Sequence, residues 1–361
     1  MRLFSKFKLG NIELKNRVVM APLTRSRAEN NVPNQLMSEY YGQRASAGLI
    51  ITEGTAPSAN GLGYPRMPGI YNEEQIKGWK NITNNVHEKG GKVFIQLMHT
   101  GRVSHPYNME EGAEVIAPSA ISLKGEMYTD QHGMQPYPIP KEMTNKDIVQ
   151  AQNEYVQAAK NAIKAGFDGV EIHAANGYLI DQFINTASNK RSDKYGESIE
   201  NRSRFALEVT QKVIDAIGAE KTGIRISPHG AFNDMEASDD LEETYEYLAR
   251  ELGFLKLAYI HIVEMSSRGG PDVPLSLKLK ISDVFGGPII RNGGLDKEKA
   301  EAALNNGEGE LVSFGQSLIA NPDLVHRMEN NIPLQNPDFD TFYTSGAKGY
   351  TDYSFAPDNV I

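Results

Sequence analysis

The segment Gly169–Tyr178 reads GVEIHAANGY. An apolar run ends there, and His173, Asn176 and Tyr178 follow within six residues. Two readings are open. The histidine can bond a backbone carbonyl, and Asn-Gly is a turn dipeptide, which makes the stretch a satisfied core turn. Alternatively, three polar side chains converge on one ligand, and then other parts of the chain must complete the site.

Polar groups do recur at the ends of other apolar runs. The run at 17–22 closes on Pro22, with Leu23 and Thr24 next; the run at 49–54 closes on Glu53 and Gly54. Gln96 and Met98 end the run at 93–98, and His99 follows it; Arg225 lies in the run at 223–228. A further run covers 258–264, and the last two, at 288–294 and 311–315, close on Gly293–Gly294 and on Gly315, with Gln316 next. Glycine allows a backbone to approach a ligand closely, so these loops could cradle a phosphate. They could equally do no more than turn the chain. A phosphate held there would lay the rest of its molecule over the centre, where Thr24, Gln96, Arg225 and His173 could hydrogen-bond a planar heterocycle.

Helical patterns over 35–47, 73–89, 145–165, 198–217, 240–253, 296–306 and 321–329 separate the runs. In 145–165, Ile148, Tyr155, Ala158, Ala159 and Ile163 repeat at helical spacing, and Thr144 followed by Asp147 reads as an N-cap. Apolar strands alternating with helices predict an α/β fold, a single (β/α)8 TIM barrel over 1–361 whose ligands sit at the C-terminal ends of the strands. A doubly wound open sheet would need a GxGxxG turn after the first strand, and RVVMAPLTRSR has none. Residues 105–140, rich in Pro, Gly and Tyr, read as a hairpin or lid after the third strand, and 331–361 as a tail near the barrel mouth.

Composition narrows the partners. A net charge of −9 with signs interspersed argues against nucleic acid. The absence of cysteine excludes disulfides, thiolate zinc sites and cysteine-ligated iron–sulfur clusters, and no metal site is expected. No window reaches 18 apolar residues, nor does the N-terminus read as a signal peptide, so no membrane contact and a cytoplasmic enzyme are the expectation.

Six segments, LGNIELKNRVVMAPLTRSRA, EYYGQRASAGLIITEGT, GVEIHAANGYLIDQF, YGESIENRSRF, FGQSLIANPDLV and FYTSGAKGYTDY, resemble in order the signature segments of the old yellow enzyme family of FMN-dependent ene-reductases, nearest to the N-ethylmaleimide reductase type. The resemblance implies FMN as cofactor, NADPH or NADH as hydride donor, and electrophilic alkenes as substrates, in a monomer or weak homodimer. It places Pro22, Leu23 and Thr24 along the flavin ring, Gly54 and Gln96 at its pyrimidine edge, and Arg225 near the opposite nitrogen and carbonyl. Gly293, Gly294, Gly315 and Gln316 would hold the phosphate. His173 and Asn176 would grip a substrate oxygen, and Tyr178 would protonate the α-carbon. Tyr64, Met98 and Tyr343 would line the substrate pocket, with Phe342 nearby.

Three positions depart from the family pattern. Gln316 stands where many relatives carry an arginine for the FMN phosphate, which removes a charge-assisted bond. Met98 replaces a frequent tryptophan, leaving room for bulkier substrates. Asn176 replaces a second histidine and keeps a donor without a titratable group. Dienoyl-CoA reductase or amine dehydrogenase barrels need a cysteine-bound cluster that this chain cannot build, and no lysine at a strand end offers an aldolase Schiff base. A flavin-binding protein without turnover remains the non-enzymatic alternative.

Overall fold

A computed structural model describes residues 1–264 and 271–357; residues 265–270 and 358–361 of the expected domain and tail lie outside the described residues. Eight strands close into one barrel. They are β1 (Val18–Met20), β2 (Leu49–Thr55), β3 (Val93–Leu97), β4 (Gly169–Ala174), β5 (Thr222–Ile226), β6 (Tyr259–Val263), β7 (Ile289–Asn292) and β8 (Leu311–Phe314). Each lies parallel to the next in sequence, and β8 returns to β1 with Val312 opposite Val18 and Phe314 opposite Met20. This unbroken order is that of a (β/α)8 barrel and has no switch point of the open-sheet kind.

Helices α1 (Gln35–Gln43), α2 (Glu73–Glu88), α3 (Asn145–Lys164), α4 (Ile199–Ile217), α5 (Leu241–Phe254), α6 (Leu275–Phe285), α7 (Lys297–Asn305) and α8 (Leu324–Asn330) surround it. Thr144 and Asp147 form a full capping box on α3. Helix α1 stops at Gln43, short of the expected 47, and α8 starts at Leu324, later than the expected 321. Helix α6 was not expected at all. Its leucines at 275, 277 and 279 alternate with Ser and Lys, the spacing of a strand, while the buried positions Leu277, Ile281 and Phe285 fall four apart, as in a helix.

The strands alternate in the sense that matters for function. Val170, Ile172 and Ala174 of β4, Ile224 and Ile226 of β5, and Ile260 and Ile262 of β6 pack outward against helix residues such as Ala158 and Phe205. The alternate positions, Gln96, Glu171, His173, Arg225, His261 and Ser313, face the lumen. Toward the bottom, the inward positions are apolar. Val19, Leu49, Ile51, Phe94, Tyr259, Ile290 and Leu311 pack with Leu9 and Leu14 of an antiparallel hairpin (Phe7–Leu9 with Ile12–Leu14) that plugs this end. Burying those side chains stabilises the closed end by roughly 1.5–3 kcal/mol each. The polar layer is left at the other end.

Two segments flank that open end. Glu126–Thr129 and Gly133–Pro136 pair as an antiparallel hairpin within the long connection after β3. Residues 341–349 are held by the loop after β1. Arg25 Nε donates to Phe342 O at 3.1 Å and its Nη2 to Gly349 O at 2.8 Å, while Arg27 Nη1 donates to Phe342 O at 2.7 Å. Tyr350 stacks on Tyr40 with ring centroids 4.0 Å apart, closing the clamp.

Candidate active site

The open end holds a cavity of about 1300 Å3. Its wall contains Pro22, Leu23, Thr24, Gly54, Gln96, Met98, His173, Asn176, Tyr178, Arg225, Gly293, Gly294, Gly315 and Gln316, and also Tyr64 and Tyr343. Every residue to which the family resemblance gave a role therefore meets one space. Ordinary ligand pockets run from about 300 to 1000 Å3, so a cofactor and a substrate fit here together. His99 is not in the wall; its Nδ1 accepts from Gly101 N at 3.1 Å, and burial pulls its pKa down to about 3.

His173 reaches the cavity from the end of β4, opposite Arg225 of β5 in the sheet register. Its Nδ1 is buried without a hydrogen-bond partner in the protein, as is Asn176 Oδ1. Burial first, then the charge of Arg225 and the nearby His261, holds the imidazole far below its ordinary range, so His173 is neutral at pH 7. Asn176 and Gly177 both take left-handed backbone angles, with φ of 58° and 74°. Asn176 N donates to Ser227 Oγ at 2.8 Å, and Gly177 N to Asp181 Oδ2 at 2.8 Å. The dipeptide thus is a turn, and that turn presents the asparagine amide to the cavity. The turn reading of GVEIHAANGY holds, and the turn sets all three polar residues on the wall of one cavity.

Tyr178 follows the turn. Its hydroxyl lies 2.9 Å from that of Tyr64, and its ring centroid 5.1 Å from that of His173. Burial pushes the Tyr178 hydroxyl up to about 12, with the Tyr64 hydrogen bond working the other way, so it keeps its proton at neutral pH. Beneath it, Met98 packs with Leu62, Met67, Val103, Leu123 and Met127. A side chain at Gly54 would place its Cβ 2.4 Å from Met98 Cε, so glycine there makes room for the methionine.

The remaining groups suit a polar, planar molecule with a phosphate. Gln96 Nε2 donates to Glu171 Oε1 at 2.8 Å, and Arg225 Nη2 to Asn292 Oδ1 at 2.9 Å. Gly293 and Gly294 have φ of 130° and 59°, conformations that side chains resist. Gly315 differs: its φ is −100°, and a Cβ would meet only Leu23, at 3.5 Å or more. The protein around it leaves open space where a side chain would stand. These features fit FMN. Among the described residues of the wall the cations are Arg66, Lys124 and Arg225, none from the loops after β7 and β8.

The sequence did not point to Arg66. It takes a φ of 54°, donates from Nε to Ser26 O at 2.9 Å and from Nη2 to Tyr343 O at 2.8 Å, and pairs with Asp130 of the hairpin. It therefore joins three segments around the rim. Phe232 and Asn233, from the connection after β5, also line the wall unannounced. No local pattern marks such loop residues; only the strand ends carry a readable signal.

Comparisons place this geometry among known proteins. The family model described as NADH:flavin oxidoreductase / NADH oxidase matches residues 2–335. A probable flavin mononucleotide-dependent alkene reductase of Leishmania infantum is 42% identical over 96% of this chain and 95% of its own length. The 12-oxophytodienoate reductase 1 of Oryza sativa subsp. japonica is 42% identical over 98% of this chain and 93% of its own. The solved structure of morphinone reductase in complex with tetrahydroNAD superposes with a TM-score of 0.94 at 42% identity, covering 99% of this chain and 98% of that one. With its barrel, its cavity and a match over nearly its whole length, the chain belongs to the NADH:flavin oxidoreductase / NADH oxidase family and is an FMN-dependent oxidoreductase.

Proposed function

We propose that the protein reduces activated C=C bonds of α,β-unsaturated carbonyls, maleimides or nitroalkenes, with FMN as cofactor and NADPH or NADH as electron source. The observation that supports this most is the trio on one wall: His173 with its buried Nδ1 left over, Asn176 beside it, and Tyr178 with its proton retained.

Bound FMN supplies the hydride. Pro22, Leu23 and Thr24 would line its ring, Gly54 and Gln96 would meet its pyrimidine edge, Arg225 would offer the ring a fixed cation, and Gly293, Gly294, Gly315 and Gln316 would hold its phosphate. His173 and Asn176 donate to the substrate's carbonyl or nitro oxygen. Drawing electron density toward that oxygen makes the β-carbon electrophilic, and the same two donors stabilise the negative charge that builds there. Being neutral, His173 gives a hydrogen bond without surrendering its proton. Tyr178 then delivers its hydroxyl proton to the α-carbon. Tyr64, Met98 and Tyr343 shape the space for the rest of the substrate.

Absorption spectra test the reading. The purified protein should be yellow, bleach with NADPH or NADH under anaerobic conditions, and regain colour when an enone such as cyclohexenone is added. A colourless protein that takes up no FMN ends the proposal; bleaching without recolouring leaves a flavin-binding protein with no alkene turnover.

A further inference from the structure

A chain of hydrogen bonds crosses the barrel lumen below the cavity. Gln96 Nε2 on β3 donates to Glu171 Oε1 on β4 at 2.8 Å. Glu171 Oε2 lies 2.8 Å from His261 Nδ1 on β6, and His261 Nε2 lies 2.8 Å from Ser313 Oγ on β8. Glu171 and His261 are wholly buried, and Gln96 and Ser313 nearly so. An ionisable pair deep in a barrel costs several kcal/mol of desolvation and is weak evidence for stability. Nothing in the alkene chemistry above uses it.

We propose that Glu171 and His261 are positioning residues that orient the Gln96 amide and hold a fixed negative charge beside Arg225, and so set how tightly FMN is bound and how readily it is reduced. This rests on the reading of Gln96 and Arg225 as flavin contacts.

A glutamine amide can be turned either way at little cost, and nothing intrinsic to it selects one. An ionised carboxylate only accepts, so Glu171 selects the face of Gln96 that carries N–H. The carbonyl and the second N–H are then left for the cavity, an acceptor beside a donor, which is the complement of a cyclic imide edge. His261 keeps Glu171 in this state. Burial raises the Glu171 pKa, but His261, Arg225 and Gln96 together hold it below its ordinary value. The imidazole is oriented from both sides, Nδ1–H toward the carboxylate and Nε2 toward the Ser313 hydroxyl. The charge has a second consequence. Arg225 favours any ligand that becomes anionic above it, and a carboxylate on the neighbouring strand offsets part of that pull.

Glu171→Gln tests both effects, because a neutral amide at 171 can accept or donate and carries no charge. Three quantities are measured: the FMN dissociation constant by flavin fluorescence, the midpoint potential by dye equilibration, and the melting temperature of the apoprotein. The expected result is FMN binding weaker by about tenfold, matching one well-made hydrogen bond, with a potential shifted to more positive values. A lower melting temperature with both flavin readings unchanged means a purely structural role and overturns the proposal. If Glu171→Gln does not fold, His261→Gln decides on FMN affinity alone: weaker binding supports the proposal and unchanged binding overturns it. Gln96→Leu is run in parallel. If it weakens FMN binding while Glu171→Gln does not, only the positioning role fails; if neither does, the placement of the flavin edge fails with it.

Discussion

The hydroxyls of Tyr64 and Tyr178 lie 2.9 Å apart in the cavity wall. Each is a buried phenol, and each is made less acidic by that burial. A tyrosinate formed at Tyr178 therefore has one immediate stabiliser. Tyr178→Phe should slow alkene reduction by about 10²–10⁴-fold, the usual worth of a positioned acid, and leave flavin reduction by NADPH or NADH within about twofold. Tyr64→Phe should give a smaller loss in the same half-reaction. Stopped-flow measurement of the two half-reactions separates them; equal loss in both contradicts the acid's role.

Phenols mimic the substrate oxygen, and under the proposed function His173 and Asn176 each offer it one hydrogen bond. His173→Ala or Asn176→Ala should weaken phenol binding by roughly tenfold, from about 1–1.5 kcal/mol per bond. Because burial and Arg225 hold His173 well below the ordinary imidazole range, its own titration should leave affinity for a non-ionising ligand flat between about pH 5.5 and 7.5. Titration of the visible flavin band at several pH values checks both points, and an affinity that steps near pH 6.5 refutes the neutral donor.

Gly315 offers a cleaner probe than the other glycines. Its φ is negative, and a methyl there touches only Leu23. Gly315→Ala should lower the melting temperature of the apoprotein less than Gly293→Ala does, yet weaken FMN binding several-fold. Gly293→Ala should instead destabilise the apoprotein, its Cβ falling 2.7 Å from Glu264 Cβ at a φ of 130°.

Glu53 accepts hydrogen bonds from Arg25 N at 3.2 Å and Tyr41 Oη at 3.1 Å, yet burial pushes its pKa up to about 7. A carboxyl raised on folding favours the folded state fully below its unfolded value of about 4.5, and that advantage is lost as pH rises through about 7. The apoprotein should thus gain on the order of 2–3 kcal/mol from this group between pH 8 and pH 5. Glu53→Gln should flatten that slope. Melting curves across the range decide it, and an unchanged slope removes Glu53 as the cause.

Arg66 ties Ser26, Tyr343 and Asp130 into one rim. Arg66→Ala should cost about 1 kcal/mol of stability, the scale of a partly buried hydrogen-bonded pair. It should also speed proteolysis within residues 126–136 and raise KM for bulky alkenes more than it changes kcat. Limited proteolysis with and without 0.5 M salt tests the ion-pair contribution.

The barrel and the strand-end residues were legible because one period governs them. In runs such as GVEIHA the outward Val and Ile announce a buried strand, and the positions between them, Glu171 and His173, must face the lumen. Pro22 through Gln316 could be gathered on one rim from that rule and chain order alone. Arg66, Phe232 and Asn233 could not, because loop positions have no period and their place depends on contacts far away in sequence. Helix α6 was hidden by a leucine–lysine alternation of the wrong spacing. The partnership of Glu171 with His261, 90 residues apart, was equally silent, since β4 and β6 meet only across a closed lumen.

The clamp between Arg25 and the carbonyls of Phe342 and Gly349 spans 317 and 324 residues of chain. Synthesis at roughly 5–20 residues per second therefore separates the two halves of this contact by tens of seconds on the ribosome. During that interval Arg25 and Arg27 lack the acceptors that residues 341–349 later supply, and that side of the cavity wall is open. A nascent chain can close its cylinder early, but the wall that Phe342 completes forms only after nearly the whole polypeptide has emerged.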